Sequence, residues 1–234
     1  MSWRRHPLRA LGRLISDADY RALATLRVLA SRRLHQTTVF TAWDRYPEIF
    51  RLSQTFLAER ERPRILSFGC ATGEEVLTLR SYFPSAEIVG AEINAANLAV
   101  CRSLTTDAGI RFIKSGDRDV GRHAPFDAIF CMAVLQRTPH LVRERGIADI
   151  SPIYPFEKFD RQVRVFDRTL KLGGLLAIEH SQYRLEESSV AGLYRPLRCA
   201  SGADIVMRFD RSGRLLDRAV SSGSVFEKIG STAR

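Results

Sequence analysis

The chain has 234 residues, enough for one large α/β domain or two small ones and for a sizeable buried core. Its hydrophobic content of 45% suits a soluble globular protein and excludes bulk disorder, and no apolar run approaches the roughly 20 residues that span a bilayer. The formal net charge of +10 can attract nucleic acid, acidic lipid headgroups or an anionic substrate, but it rests on scattered arginines rather than on one basic block.

The first 16 residues hold several arginines and no acid. They read either as a targeting or membrane-surface segment or as the basic solvated face of a helix; the pattern runs on past Asp17 and Asp19, which favours the second reading. Residues 1–60 are expected to be a helical cap. Leu8, Leu11, Leu14 and Ile15 share a face, and Tyr20 to Leu29 continue an apolar stripe. Phe40, Trp43, Tyr46 and Phe50 are spaced to lie on one helix face, with Pro47 breaking that helix or starting a new one. Such a stripe is either core or a lid over a ligand.

From residue 61 to the end, one α/β domain is expected. The strands are Arg64–Phe68, Glu87–Ala91, Arg111–Lys114, Phe126–Met132 and Leu175–Ile178. Helices are expected over Glu74–Tyr82, over Ala95–Leu104 with Asn94 as N-cap, and over Phe156–Leu170, the last ended by Gly173-Gly174. Residues 139–156 read as a proline-rich loop with short helices at most. Ile205–Phe209 and Arg214–Val220 flank a hairpin turn at Asp210–Gly213, and Ser224–Ile229 is a last strand. Alternating strands and helices predict a doubly wound, mostly parallel sheet of about seven strands that ends in an antiparallel hairpin.

The cysteines Cys70, Cys101, Cys131 and Cys199 form no C-x-x-C pair and have no histidine at ligand spacing, so no metal site is expected. Reduced thiols and a cytoplasmic location follow from the absence of a recognisable signal peptide.

In such a sheet, ligands bind beyond the carboxyl ends of the strands. The first strand ends in Gly69-Cys70-Ala71-Thr72-Gly73 and opens into Glu74. A turn of this kind brings a helix N-terminus and backbone N–H groups towards a ligand. The second strand ends on Glu92, 19 positions after Gly73, followed by Ile93. An acid there is placed to accept both ribose hydroxyls of a nucleoside; otherwise it is a solvated loop carboxylate. Asp117 closes the third strand end and can bond an adenine amino group or merely serve its turn. Cys131 lies at the end of the fourth strand, with Gln136 just beyond, and Glu179 and His180 end the fifth. No G-x-x-x-x-G-K-[ST] is present, which disfavours phosphate-loop chemistry.

Ile65–Gly73, Ala91-Glu92, Ser115-Gly116-Asp117, Phe126–Cys131 and Leu172–Leu175 together resemble the class I S-adenosylmethionine-dependent methyltransferases. The form Gly-Cys-Ala-Thr-Gly-Glu-Glu is similar to the glycine turn of the chemotaxis-receptor methyltransferases. The resemblance covers about half of the chain. It implies S-adenosylmethionine as cofactor, held by Gly69, Cys70, Ala71, Gly73, Glu74, Glu92, Ile93, Asp117 and Cys131. Two positions depart from the pattern. Ser67 stands where the family has an acid, and Ala71 where it has glycine. Glu74 is then expected to supply the counter-charge for the cofactor's amino group, and Ala71 an ordinary turn geometry.

Methyl transfer from a sulfonium needs approach geometry first and a base only sometimes. His180 is the leading base candidate because imidazole titrates near neutrality, although a histidine satisfied by its neighbours is an equal reading. Glu179 and Gln136 follow, then Tyr183 and His140. Three functions are open on these residues: methylation of an oxygen or nitrogen on a small molecule, methylation of protein or RNA, and a nucleotide-binding oxidoreductase or non-catalytic cofactor module.

Overall fold

The computed structural model describes residues 34–36, 41–199, 207–216 and 223–231. The expectations for residues 1–33 and for Phe40 lie outside that range, as do those for residues 205–206 and 217–220 of the two strands expected around Asp210–Gly213. Among the described residues, seven strands form one sheet: β1 (Arg64–Phe68), β2 (Glu87–Glu92), β3 (Ile110–Lys114), β4 (Phe126–Met132), β5 (Leu170–Glu179), β6 (Tyr194–Cys199) and β7 (Gly223–Lys228). Their order is β3-β2-β1-β4-β5-β7-β6, with β7 antiparallel to both neighbours and the other pairs parallel. The helices are α1 (Pro47–Phe56), α2 (Glu74–Tyr82), α3 (Ala95–Ser103), α4 (Asp117–Arg122), α5 (Pro139–Glu144) and α6 (Phe156–Thr169).

The sheet is buried on both faces because its strands are apolar on both. Leu66, Phe68, Val89, Ile129 and Cys131 point to one side, where Phe159, Val163 and Phe166 of α6 meet them. The last three are fully buried and fall on one stripe of α6, so each contributes about 2 kcal/mol of burial. Ile65, Ile88, Ala128 and Phe130 point to the other side, against Val76 and Leu79 of α2 and Ile49 and Phe50 of α1. Asn94 caps α3 as expected, its side-chain oxygen accepting from the Ala96 N–H at 2.9 Å.

Several elements differ from the sequence expectation. Pro47 starts α1, so Trp43 stays in the preceding turn, 61% exposed, and does not share a helix face with Phe50. Gly173-Gly174 do not end α6. The helix passes directly into β5 at Leu170, and the glycines form a bulge: Phe126 pairs with Leu170 but Ala128 already with Leu175. Gly173 has φ +67, which glycine takes without strain. The turn Asp210–Gly213 is present, closed by Asp210 N–H to Arg214 O at 2.8 Å, but it joins none of the sheet's antiparallel strands. Those are β7 with β5 on one side and β6 on the other.

Residues 34–36 are fastened to the body of the protein by side chains from after β4 and from α6. Arg137 donates to the carbonyls of Leu34 and His35 at 3.1 and 3.2 Å, and Lys158 donates to Leu34 at 2.7 Å. His35 is buried, with Nδ1 2.6 Å from the Tyr154 hydroxyl. Burial, then the nearby Lys158 cation, pushes its pKa down to about 3. A histidine depressed in the fold is neutral there but charges in the unfolded chain below its ordinary value near 6.5. Stability is therefore complete above pH 6.5 and lost as pH falls towards 3. At pH 5 the loss from this group is expected to be about 2 kcal/mol. Thermal melts at pH 7.5 and pH 5 check it: the drop should shrink in His35→Gln, and an equal drop in both proteins overturns it.

Candidate functional site

A pocket opens at the carboxyl ends of β1 and β4. Gly69, Cys70 and Ala71 form its floor, Met132 and Glu75 its walls, and Thr41 to Phe50 its cover, with Arg45 and Tyr46 among them. The floor is built by three left-handed or otherwise positive-φ residues: Gly69 at +78, Ala71 at +50 and Gly73 at +103. Ala71 thus does not hold an ordinary turn geometry. It takes a conformation that costs a non-glycine residue roughly 1 kcal/mol.

The N–H groups of Gly69, Cys70 and Ala71 are directed to β2. Gly69 and Cys70 donate to the Ala91 carbonyl at 2.7 and 3.2 Å, and Ala71 donates to Glu92 Oε2 at 3.0 Å. Glu92 Oε1 accepts from the Asn94 N–H at 2.7 Å. The Glu92 carboxylate is buried, which raises its pKa, while the N–H groups of Asn94, Ala71 and Ile93 oppose that rise. A carboxylate has about four lone-pair sites, so room remains for a hydroxyl donor. Ile93, half-buried, thus stands beside the acid through its backbone.

Sequence reasoning missed Glu75. Glu74 is directed to Thr72, whose hydroxyl lies 2.9 and 2.7 Å from its two carboxylate oxygens. Glu75, one residue on, faces inward and accepts from the Ser67 hydroxyl at 2.7 Å. The structure thereby puts a carboxylate beside the position on β1 where an acid is absent. Burial lifts the Glu75 pKa to about 7, with the Ser67 hydrogen bond and Arg45 pulling it down. Spacing alone does not separate the two acids: Glu75 lies three and four residues before the buried Thr78 and Leu79, but Glu74 also lies four before Thr78.

The remaining candidates divide into two groups. Gln136, Glu179 and His180 lie around the ends of β4 and β5. The Ala133 N–H joins these ends by donating to the Glu179 carbonyl at 2.9 Å, and Gln136 Nε2 donates to the Ala133 carbonyl at 2.9 Å. Gln136 Oε1 is buried with no hydrogen-bond partner among the described residues. Glu179 is buried 3.9 Å from Arg198. His180 has φ +51, and its ring centroid lies 5.7 Å from that of Tyr46, which lines the pocket.

Cys131, Asp117, Tyr183 and His140 are not gathered with them. The Cys131 thiol is enclosed in the core on the α6 side, its pKa raised by burial, so it is no nucleophile; Met132 beside it lines the pocket instead. Asp117 is exposed at the first residue of α4. The Tyr183 hydroxyl donates to the Tyr154 carbonyl at 2.5 Å, and burial raises its pKa far from neutrality, so it is no base. His140 is exposed on α5. Among the described residues, no group of three or more His, Cys, Asp or Glu could hold a metal ion, and no helix is long and apolar enough to cross a membrane.

The family model of a methyltransferase domain matches residues 65–153, the stretch that holds the glycine turn, Glu92 and β4. This stretch, less than half of the chain, thus matches a methyltransferase domain, in keeping with S-adenosylmethionine as the cofactor. An uncharacterized protein of Synechococcus sp. is 34% identical over 112 residues, which is 45% of this chain and 26% of that protein. The chain thus spans about a quarter of the length of the curated relative it matches. Among solved structures, it is similar to the plantazolicin methyltransferase BpumL in complex with SAH and a pentazolic desmethylPZN analog, with TM-score 0.42, 14% identity, and 73% of this chain against 57% of that one. It is also similar to TrmN from Thermus thermophilus (TM-score 0.43, 18% identity, 79% and 52% covered). The sugar N-methyltransferase KedS8 from Streptoalloteichus sp. gives TM-score 0.40 and 20% identity, with 70% and 62% covered.

Proposed function

We propose that this protein transfers a methyl group from S-adenosylmethionine to an oxygen or nitrogen of a small-molecule acceptor. The observation that carries the reading is the covered pocket in which Glu75, Arg45 and the glycine turn meet. The side chains at hand fit the cofactor: the Glu75 carboxylate of the pocket for the amino group, its Arg45 guanidinium for the carboxylate, and Glu92, which holds the turn at Ala71, for the ribose. The cofactor supplies an electrophilic methyl group. The chain's part is to hold the acceptor in line with it and, where the acceptor needs it, to take up a proton.

His180 is the residue best suited to that proton, since the Tyr46 ring ties it to the pocket and an imidazole nitrogen can accept a proton. Glu179 and Gln136 are the alternatives at the same strand ends. A cap role for the segment before the domain of residues 61–234, expected over residues 1–60, is supported in its described part by Thr41, Ala42, Arg45, Tyr46 and Phe50, which line the pocket. A cover of this kind suits a small acceptor better than a polymer.

Calorimetry with S-adenosylmethionine, S-adenosylhomocysteine and NADPH tests the cofactor reading. The first two are expected to bind and the third not; binding of NADPH alone would sink it. Soaking with S-adenosylhomocysteine and mapping the space beside its sulfur then tests the acceptor. A narrow closed space supports a small molecule, and an open groove a protein or RNA.

A further inference from the structure

We propose that a second cleft, at the amino ends of β1, β2 and β3, is a binding site for phosphate groups. It lies at the opposite end of the strands from the glycine turn. Arg64 and Gly69 stand at opposite ends of β1, roughly 16 Å of extended chain apart. A ligand here is therefore not the methyl acceptor in the pocket, and the proposal stands apart from the cofactor reading.

The cleft has a volume of about 420 Å³ and is lined by Arg62, Arg64, Arg111, Arg122 and His123, with Glu87 as its sole acid. The sheet register explains how the arginines gather. Arg64 pairs with Glu87 and Val89 with Arg111 across three neighbouring strands. Side chains in register on adjacent strands share a face, and residues two apart on one strand do also, so Arg64, Glu87, Val89 and Arg111 stand on the same side of the sheet. The helix that follows β3, α4, is only six residues long. Its end brings Arg122 and His123 to the side of this floor and covers no more of it.

The charges are not balanced within the cleft. Glu87 is shared by Arg62 at 3.1 Å and Arg64 at 2.9 Å. Arg122 reaches Asp119 at 3.4 Å, a pair exposed on both sides and so weak. Arg111 makes no ion pair among the described residues, although it is the arginine that sits on the sheet floor. Burial, then the Arg111 and Arg64 cations, lowers the His123 pKa. Guanidinium groups present paired N–H donors in a planar fork that matches phosphate oxygens, and several around one concavity select for that group over a single carboxylate. Two sources share this chemistry, a nucleic-acid backbone and a free small phosphate.

The test uses pyrophosphate in calorimetry and a fluorescein-labelled single-stranded RNA oligonucleotide in anisotropy titrations. The protein is compared with Arg111→Ala/Arg122→Ala and with Arg195→Ala, an exposed arginine on β6 far from the cleft in sequence. Melting temperature and S-adenosylmethionine binding report folding, since none of these residues lines the cofactor pocket. The double variant is expected to bind at least tenfold more weakly and Arg195→Ala unchanged, with Arg111→Lys/Arg122→Lys retaining part of the affinity. Pyrophosphate binding that responds in this way assigns a free phosphate ligand. RNA binding whose log–log salt slope shrinks by about 1.4 in the double variant assigns a nucleic-acid backbone. The proposal is overturned if neither probe binds the unaltered protein, or if Arg195→Ala weakens binding as much as the double variant.

Discussion

Glu75→Gln is expected to weaken binding of S-adenosylmethionine by about 10- to 100-fold at pH 8, the worth of a charge-assisted hydrogen bond of about 1.5–3 kcal/mol. The same loss is expected for S-adenosylhomocysteine, which keeps the amino group. The unaltered protein should also show a pH dependence that the variant lacks. Burial holds the Glu75 pKa at about 7, so below that pH a proton must leave before the carboxylate can pair with an ammonium group. Affinity is then expected to rise about tenfold per pH unit up to 7 and to level off above it. Calorimetry at several pH values, in buffers of different ionisation enthalpy, reads both the affinity and the released proton. Glu74→Gln is the control. Glu74 sits on the same helical turn but is hydrogen-bonded to Thr72, and its loss should change affinity little. Equal affinity of Glu75→Gln and the unaltered protein at pH 8 would overturn the assignment.

The stability of the unliganded protein should move the other way. An acid whose pKa is raised in the fold holds its proton more tightly there than in the unfolded chain. Stability therefore falls as pH rises from about 4.5 to 7 and stays low above. Removing the charge should recover up to about 3 kcal/mol at pH 8. Higher stability with weaker cofactor binding separates a site residue from one whose change merely damages the fold.

The contrast between Glu74 and Glu75 shows what the sequence could and could not reveal. The glycine turn, the alternation of strands and helices, and Glu92 at the end of β2 are local patterns, and local patterns carry the doubly wound sheet. Which of two adjacent acids faces inward depends on helix phase against a core not yet assembled. β6 was hidden for a different reason. Tyr194–Cys199 contains Pro196, which cannot donate to a ladder and so argues against a strand. β6 tolerates it because it is the edge of the sheet, hydrogen-bonded only to β7. α4 was too short, and too interrupted by Gly121, to show a period. The Gly173-Gly174 bulge looked like a helix stop because glycine marks both, and only the pairing of β4 with β5 decides between them.

Lys228 was equally illegible, and Lys228→Met is expected to destabilise the protein by about 3–5 kcal/mol. By composition it is one more surface cation, yet it is buried at the end of β7. Its ammonium lies 3.0 Å from Asp167 Oδ1 and donates to the carbonyls of Asp167 and Leu170 at 2.6 and 3.2 Å. Those carbonyls lie where α6 gives way to β5 and helix bonds run out, so a cation here also meets the negative end of the helix dipole. Methionine keeps the packing of the aliphatic stem but leaves the buried Asp167 carboxylate with the Tyr194 hydroxyl, 3.1 Å away, as its remaining side-chain donor among the described contacts. Asp167→Asn/Lys228→Met removes both charges together, so it should cost less than the sum of the single changes by at least 1 kcal/mol. Urea melts of the four proteins measure this coupling. A Lys228→Met protein within 1 kcal/mol of the unaltered one would mean that water reaches the pair. The position matters beyond stability, because β7 is the strand that pins β5, and β5 ends on Glu179, next to His180. If loosening this seam lowers methyl transfer before it lowers cofactor binding, the strand-five end serves the acceptor rather than the cofactor.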